Sequence, residues 1–335
     1  MNTGGKNRCH QMIIAGVFAG FFMIFQAKYS LGAEPTEVKI NYGAVSAGLA
    51  PVWVAHDEGF FAKYGLKTDP KLIGAATEVQ ALLGGSLHIV NCGPELVDAR
   101  LQGADVVYMA GMVNRFVFSV FSKLDIKRIA ELRGKSIAVT QPNSATDFAA
   151  RILLKEANLA PGKDATILYV KGVPEILASI TQGTVDVGIL PPPTTLKARH
   201  SGLKEIINVT DRNIPMIQAA VGTTRTFLKG NPDLVRRYLQ AYIETLKFMR
   251  TDPEKTKKAI GRYTKTSNQE DLDETYRVLA GVWEKIPYVS PAAIQNLLDF
   301  SPLPSAKTAK PDQFIDDSMI AELERSGFVG QLYRQ

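Results

Sequence analysis

Reactive and metal-binding side chains are scarce in this chain. Its 335 residues include two cysteines, two tryptophans and four histidines. Cys9 lies before an apolar run, whereas a lipid-anchoring cysteine would follow one, so Cys92 is the one cysteine left beyond residue 33. A lone cysteine forms no intramolecular disulfide, and the fold must stand on its apolar core. His56, His88 and His200 are scattered, and the sequence holds no G-x-S-x-G elbow, H-E-x-x-H pair, P-loop or G-x-G-x-x-G turn. His88 and Cys92 would share one side of a strand end, but no electropositive neighbour activates the thiol. These absences argue against an enzyme, and no cofactor or metal is expected. Basic residues never cluster beyond a pair among aromatics, which excludes a nucleic-acid footprint.

What is present begins with an address. Lys6 and Arg8 stand without an acid, Met12 to Phe25 is an apolar run of 14 residues, and SLGAEP follows. That is a secretory signal peptide, cut near Gly32 or Ala33. The run falls short of the roughly 20 apolar residues that a membrane span needs. Taking Lys6, Arg8 and Lys28 from the 39 basic residues leaves 36 against 33 acidic, a net charge of +3. The rest of the chain is long enough for two domains.

A repeat organises that remainder. KINYGAVSAG (39–48) matches SIAVTQPNSAT (136–146) at an offset of 98 residues, setting Ser46-Ala47 on Ser144-Ala145. GSLHIVNCGPELVDARLQG (85–103) matches GTVDVGILPPPTTLKARHSG (183–202) in the same way. Each copy reads as strand, helix, strand, helix, strand. In the first the strands are Val38–Tyr42, Leu66–Leu72 and His88–Val90, with helices Pro51–Tyr64 and Glu78–Leu83. In the second they are Ser136–Val139, Thr166–Val170 and Val185–Leu190, with helices Asp147–Ala157 and Glu175–Thr181. Such alternation predicts parallel sheets with right-handed crossovers, hence two similar α/β lobes. The unrepeated tail is helical: from Pro232 through Phe248 behind Asn231, from a Ser267/Glu270 capping box to about Lys285, and over Pro311–Arg325. RFVFSVFSK (115–123) and MIQAAVGTTRTF (216–227) are the extended segments expected to cross between lobes. The boundaries follow as signal peptide 1–33, lobe one 34–118, lobe two 119–220, and a return of 221–335 to lobe one.

Ligands of parallel α/β sheets bind outside the carboxyl ends of the strands. Pro191, Pro192 and Pro193 stop a strand there, and without N–H groups they form a stiff, donor-poor wall leading into a helix at Thr194; the same prolines also serve simply as strand breakers. Ser144-Ala145-Thr146-Asp147 opens a helix with a capping box, and its free N–H groups and positive dipole end would face a polar ligand. Ser46-Ala47-Gly48 offers the matching mouth in lobe one. Trp53, with Phe60, Phe61 and Tyr64, has the spacing of a core face, although an aromatic residue there also suits a cleft edge.

The phrases APVWVAHDEGFFAKYGL, VQALLGGSLHIV, IAELRGKSIAVTQPNSATDFAARILL and GVPEILASITQGTVDVGIL resemble the periplasmic solute-binding proteins of nitrate/sulfonate/taurine-type ABC importers, over roughly residues 37–250. That resemblance implies a periplasmic-binding-protein type II fold: two α/β lobes with a hinge and a C-terminal helical region packed on lobe one. It implies a small-molecule ligand, an ABC permease with its ATPase as partners, and contact with the membrane only through the permease. Carried over by position, the ligand contacts are Ser46, Ala47, Gly48, Thr77, Asn91, Gly93, Ser144, Ala145, Thr146, Pro191, Pro192, Pro193 and Thr194. Asp147 and Glu95 depart from an anion site, because a carboxylate there opposes nitrate or sulfonate, and Arg115 is the nearest counter-charge. The same fold family includes thiamine-pyrimidine synthase-like and pyrimidine-precursor-binding members, so a nitrogen-rich ligand, a synthase-like enzyme and a ligand-sensing partner of a membrane receptor stay open as alternatives.

Overall fold

The structure is a computed structural model and describes residues 34–334. The signal-peptide and Cys9 expectations lie outside the described residues. None of the described helices is long and apolar enough to cross a membrane.

The first lobe opens with β1 (Thr36–Val38) and β2 (Asn41–Tyr42), a 3-10 turn at Ala47–Leu49, α1 (Ala50–Asp57) and α2 (Phe60–Lys63). The single helix expected over Pro51–Tyr64 is broken because Gly59 sits at φ +76°, a conformation that side chains with a Cβ avoid. Then come β3 (Leu66–Thr68), β4 (Lys71–Leu72), α3 (Ala75–Leu83), β5 (Val90–Cys92), α4 (Glu95–Leu101) and the long β6 (Val106–Arg115). The second expected strand is divided into β3 and β4 at Asp69-Pro70, where proline has no N–H to give the ladder. β1 pairs with β3 and β2 with β4, both in parallel, and a parallel bridge from Ile40 to Ile89 joins them to the chain entering β5.

The second lobe holds β7 (Ser119–Ser122), β8 (Ser136–Val139), α5 (Ala145–Glu156), β9 (Thr166–Tyr169), α6 (Val173–Gln182), β10 (Val187–Leu190), α7 (Thr194–His200) and β11 (Lys204–Asn208). Its sheet runs β11-β7-β10-β8-β9, with β8, β9 and β10 parallel and β7 antiparallel. The repeat is visible in the helices. α3 and α6 start 98 residues apart, at Ala75 and Val173, and α4 and α7 start 99 apart, at Glu95 and Thr194.

The return strand β12 (Pro215–Thr224) lies between β5 and β6 and is antiparallel to both. The crossing is held where Phe116 N–H donates to Ile214 O at 3.2 Å. Gln218 clasps the same spot: Val117 N–H donates to its Oε1, and its Nε2 donates to Val117 O at 3.3 Å.

The tail comprises α8 (Arg225–Gly230), α9 (Pro232–Thr251), α10 (Pro253–Thr264), α11 (Gln269–Ala280), α12 (Pro291–Phe300), α13 (Ser318–Arg325) and α14 (Phe328–Arg334). The expected capping box is corrected: Asn268 rather than Ser267 caps α11, its Oδ1 accepting from Asp271 N–H at 3.1 Å, and the helix stops at Ala280. α9, α10, α13 and α14 pack on lobe one in a core with Trp53, Phe61, Tyr238, Tyr242 and Ile320 at its centre. α12 reaches further. It joins a second core that runs from Val90 and Tyr108 to Ile137, Phe148 and Leu153 of lobe two, and Lys155 caps the ring of Phe300 at 4.1 Å.

Candidate ligand cavity

A cavity of about 330 Å³ lies between the lobes at the carboxyl ends of their strands. The segment after β2 gives Gly43, Ala44, Val45 and Ser46, that after β5 gives Gly93 and Glu95, and that after β8 gives Thr140, Gln141, Ser144, Ala145 and Thr146. Lys171 to Glu175 follow β9, and Pro191 follows β10. Phe118, Gln218 and Ala219 close it from the crossing segments, and Leu49, Leu72 and Gly74 complete the lobe-one side. The lobes touch at its edge, where Ala47 N–H donates to Pro192 O at 3.3 Å.

Of the sequence-predicted residues, Ser46, Gly93, Glu95, Ser144, Ala145, Thr146 and Pro191 come together on this wall. The two serines do different work. Ser46 precedes the 3-10 turn and makes no side-chain cap. Ser144 Oγ accepts from Asp147 N–H at 3.4 Å and from Thr140 Oγ1 at 2.8 Å, in a cluster that includes Thr146 Oγ1 at 3.0 Å.

The remaining predicted residues lie off the wall. Asp147 is fully buried behind it, its carboxylate taking Arg151 Nε at 3.0 and 3.1 Å and Asn143 N–H at 2.9 Å. Asn91 is spent on structure: its N–H and Nδ2 bond Asn41 at 2.9 Å each, and Tyr238 donates to its Oδ1 at 3.1 Å. Trp53 is core, stacked on Tyr263 with ring centroids 4.8 Å apart. Arg115 donates to Asn213 Oδ1 at 2.6 Å. Ala47 and Gly48 are buried beneath Ser46, and Thr77 is exposed on α3. Pro192 borders a separate groove, Pro193 is the residue before α7, and Thr194 is buried at its start.

Sequence reasoning missed Gly43–Val45, Thr140-Gln141, Lys171–Glu175 and the crossing residues. The 98-residue offset carried a signal for one of them. It sets Gly74 on Gly172, and both occupy the position before a helix without a side-chain cap.

The electrostatics centre on one corner. Glu95 is partly exposed to the cavity, yet its Oε2 is sealed from solvent and has no hydrogen-bond partner. Burial raises its pKa to about 7 against the pull of its own N–H and that of Gly93. Behind it Glu78 is completely buried, with Oε2 accepting from Asn41 Nδ2 at 2.5 Å and Oε1 unpartnered. Burial first, and then the charge of Glu95, push the Glu78 carboxyl well up. One carboxylate oxygen of each and Cys92 Sγ lie within 4.8 Å of one another. Burial and both glutamates also push the Cys92 thiol well up, and His88, the other half of the supposed pair, stacks on Phe227 instead. Among the lining residues the one cation is Lys171, which is exposed.

Solved structures share this fold. A protein of Bordetella bronchiseptica RB50 superposes with a TM-score of 0.78 at 18% identity, covering 90% of this chain and 99% of its own. The periplasmic nitrate-binding protein NrtA from Synechocystis PCC 6803 gives 0.72 at 18%, covering 88% and 89%. The periplasmic aliphatic sulphonate binding protein SsuA from Escherichia coli gives 0.68 at 19%, covering 86% and 99%. In sequence, a Brucella abortus (strain 2308) protein named "Putative binding protein" is 24% identical over 241 residues, 70% of this chain and 73% of its own. The described architecture is thus the periplasmic-binding-protein fold. The sequence model of the NMT1/THI5-like family matches residues 46–256, well over half of the chain and the cavity-lining segments after β5, β8, β9 and β10, and the chain belongs to that family.

Proposed function

We propose that the chain is the extracytoplasmic solute-binding component of an ABC importer: exported by residues 1–33, it captures a small organic molecule between its lobes and presents it to a permease. The observation that carries this reading is the cavity itself, built from both halves of the repeat and from the segments that cross between them. A wall assembled that way changes shape when the lobes rotate about the crossings, so binding and closure are one event. The named functions of the similar folds point the same way. A catalytic role has little to work with here, since the Cys92 thiol is buried with its pKa raised, the opposite of an activated nucleophile.

The test is to express the full chain with its signal and take it from the periplasm. N-terminal sequencing should begin near Ala33 or Glu34. Mass spectrometry of the heat-released fraction should find a stoichiometric small molecule, and adding it back should raise Tm. A hundredfold excess over Kd stabilises by about 2.7 kcal/mol. An intact Met1 in washed membranes would contradict the export step, and a cavity that neither carries nor responds to any small molecule would contradict the binding role.

A further inference from the structure

We propose that the ligand is recognised by Glu95 with Glu78 behind it, and that it presents N–H donors of the amidine, guanidine or amide type on an apolar body rather than an anionic head. The proposal rests on the solute-binding reading and names the class of solute. Buried carboxyl oxygens ordinarily have partners. Here Glu78 Oε1 and Glu95 Oε2 have none, although Glu78 is completely buried, and Glu95 stands on the cavity wall. Glu95 carries that unused acceptor just under the wall, where a donor entering the corner would satisfy it.

Charge sets the sign of that ligand. Two carboxyls this close cannot both ionise, and one keeps a proton. The ionisable groups around Glu95 are Glu78 from α3, Cys92 from β5 and Tyr108 from β6, with Lys171 and Glu175 across the cavity. Tyr108 is turned to Gly93, donating to its carbonyl at 2.9 Å. No arginine lines the wall to offset the pair. A sulfonate or nitrate placed here would meet the charge of the remaining carboxylate, against which the wall offers only the exposed Lys171, whereas a donor would satisfy it. The rest of the wall fits an apolar body: Leu49, Leu72, Phe118, Val173 and Pro191 line it. A thiol beside two carboxyls also suits a divalent metal, so metal is an outcome the experiment must separate.

Four probes that share one ring and differ in head group decide it: benzamidine, benzamide, benzoate and benzenesulfonate. Binding to the ligand-free mature chain would be followed by calorimetry and Tm. Benzamidine or benzamide should bind and the two anions should not, and Glu95→Gln should weaken the benzamidine complex roughly ten- to a hundredfold, the loss expected of a charge-assisted bond. Benzamidine should also release protons at pH 6, seen as a buffer-dependent enthalpy, and benzamide should not. Preference for benzoate or benzenesulfonate overturns the proposal, and that ranking needs no variant to fold. So does Glu95→Gln binding within twofold of the parent. Retention of Zn²⁺ added alone, lost in Cys92→Ser, assigns the corner to a metal and overturns it too. If no probe binds below about 10 mM, the recognition chemistry is wrong. A molecule released from the periplasmic protein would then still uphold solute binding.

Discussion

Replacing Glu95 by glutamine should make the protein more stable at pH 8 and leave it unchanged at pH 4.5. The carboxyl is raised from 4.5 to about 7 in the folded state, chiefly by burial. A group whose folded pKa lies above its unfolded one holds its proton more firmly when folded. The native state is therefore favoured fully below the unfolded pKa, and that advantage drains away as pH rises from 4.5 through 7. A difference of roughly two and a half units is worth about 3 kcal/mol at 1.36 kcal/mol per unit. Glutamine has no proton to lose, so the variant escapes the penalty. Distant titrating groups act on both proteins and cancel in the difference, whereas Glu78, whose carboxyl is pushed up in part by the charge of Glu95, is relieved in the variant and adds to its gain. Differential scanning calorimetry of parent and variant from pH 4.5 to 8.5 is the assay, and at about 2–3 °C per kcal/mol for a chain of this size the Tm curves should part by on the order of 5–10 °C above pH 7. The same substitution should weaken ligand binding, which is the usual trade at a site that keeps a strained group for function. Parallel Tm curves over the whole range would refute the reasoning, because they would mean that Glu95 is solvated and ionised throughout.

Four other outcomes test the surrounding structure. Arg151→Ala strands the buried Asp147 carboxylate and should lower stability by about 2–3 kcal/mol, less than the loss for a pair buried on both sides because solvent reaches Arg151. Asp147→Asn should leave ligand affinity within about twofold, as a site behind the wall would; a larger change in calorimetric Kd would return Asp147 to the site. Gly222→Ala puts a Cβ 2.2 Å from Leu96 Cδ1 in the central strand β12, and urea unfolding should show a loss of about 1–3 kcal/mol. Small-angle scattering should report a smaller radius of gyration at ligand saturation, and an unchanged radius would count against rotation about residues 116–118 and 214.

Much of the fold was legible because periodicity and punctuation are local. The 98-residue repeat gave α3 and α6 the same place before the sheets were known, and Asn231-Pro232 marked the start of α9. Asp252-Pro253 and Ser290-Pro291 carry the same signature for α10 and α12, with Asp252 and Ser290 side chains accepting from Lys255 and Ala293 N–H. The strand ends were legible too, since the crevice rule acts through topology. What failed was direction. Asn91 and Trp53 sit at the right points of the chain and face the wrong way, one into a web of amides and the other into a ring stack. Asp147 was expected to face the ligand at the mouth of α5, but its carboxylate turns to Arg151 one helical turn along the same helix, and spacing alone cannot say which side of the helix meets the cavity. Glu78 and Glu95 come together only when α3 packs beside β5 and α4, a contact that no local pattern announces.

The two halves of the repeat keep one backbone plan and divide the chemistry. After β8 the mouth is lined by hydroxyls, Thr140, Ser144 and Thr146, whose hydrogens are shared among themselves. After β5, whose counterpart in the repeat is β10, lobe one instead carries the Glu78–Glu95 pair with acceptors to spare. Between them Pro191 contributes a surface without an N–H, and its carbonyl accepts from Thr195 N–H at 3.2 Å, so the strand end that could have offered a donor offers an apolar edge. A ligand held across such a cleft meets strong acceptors on lobe one and adaptable hydroxyls on lobe two. In the proposed binding role, closure would bring the two chemistries together, because residues of both lobes line the cavity. That division makes orientation part of recognition: turning the same molecule end for end would set its acceptor against Glu95 and leave a buried carboxyl unpaired, a loss of about 1–3 kcal/mol or more. Discrimination between near-isosteres should therefore follow where their N–H groups sit more closely than their size.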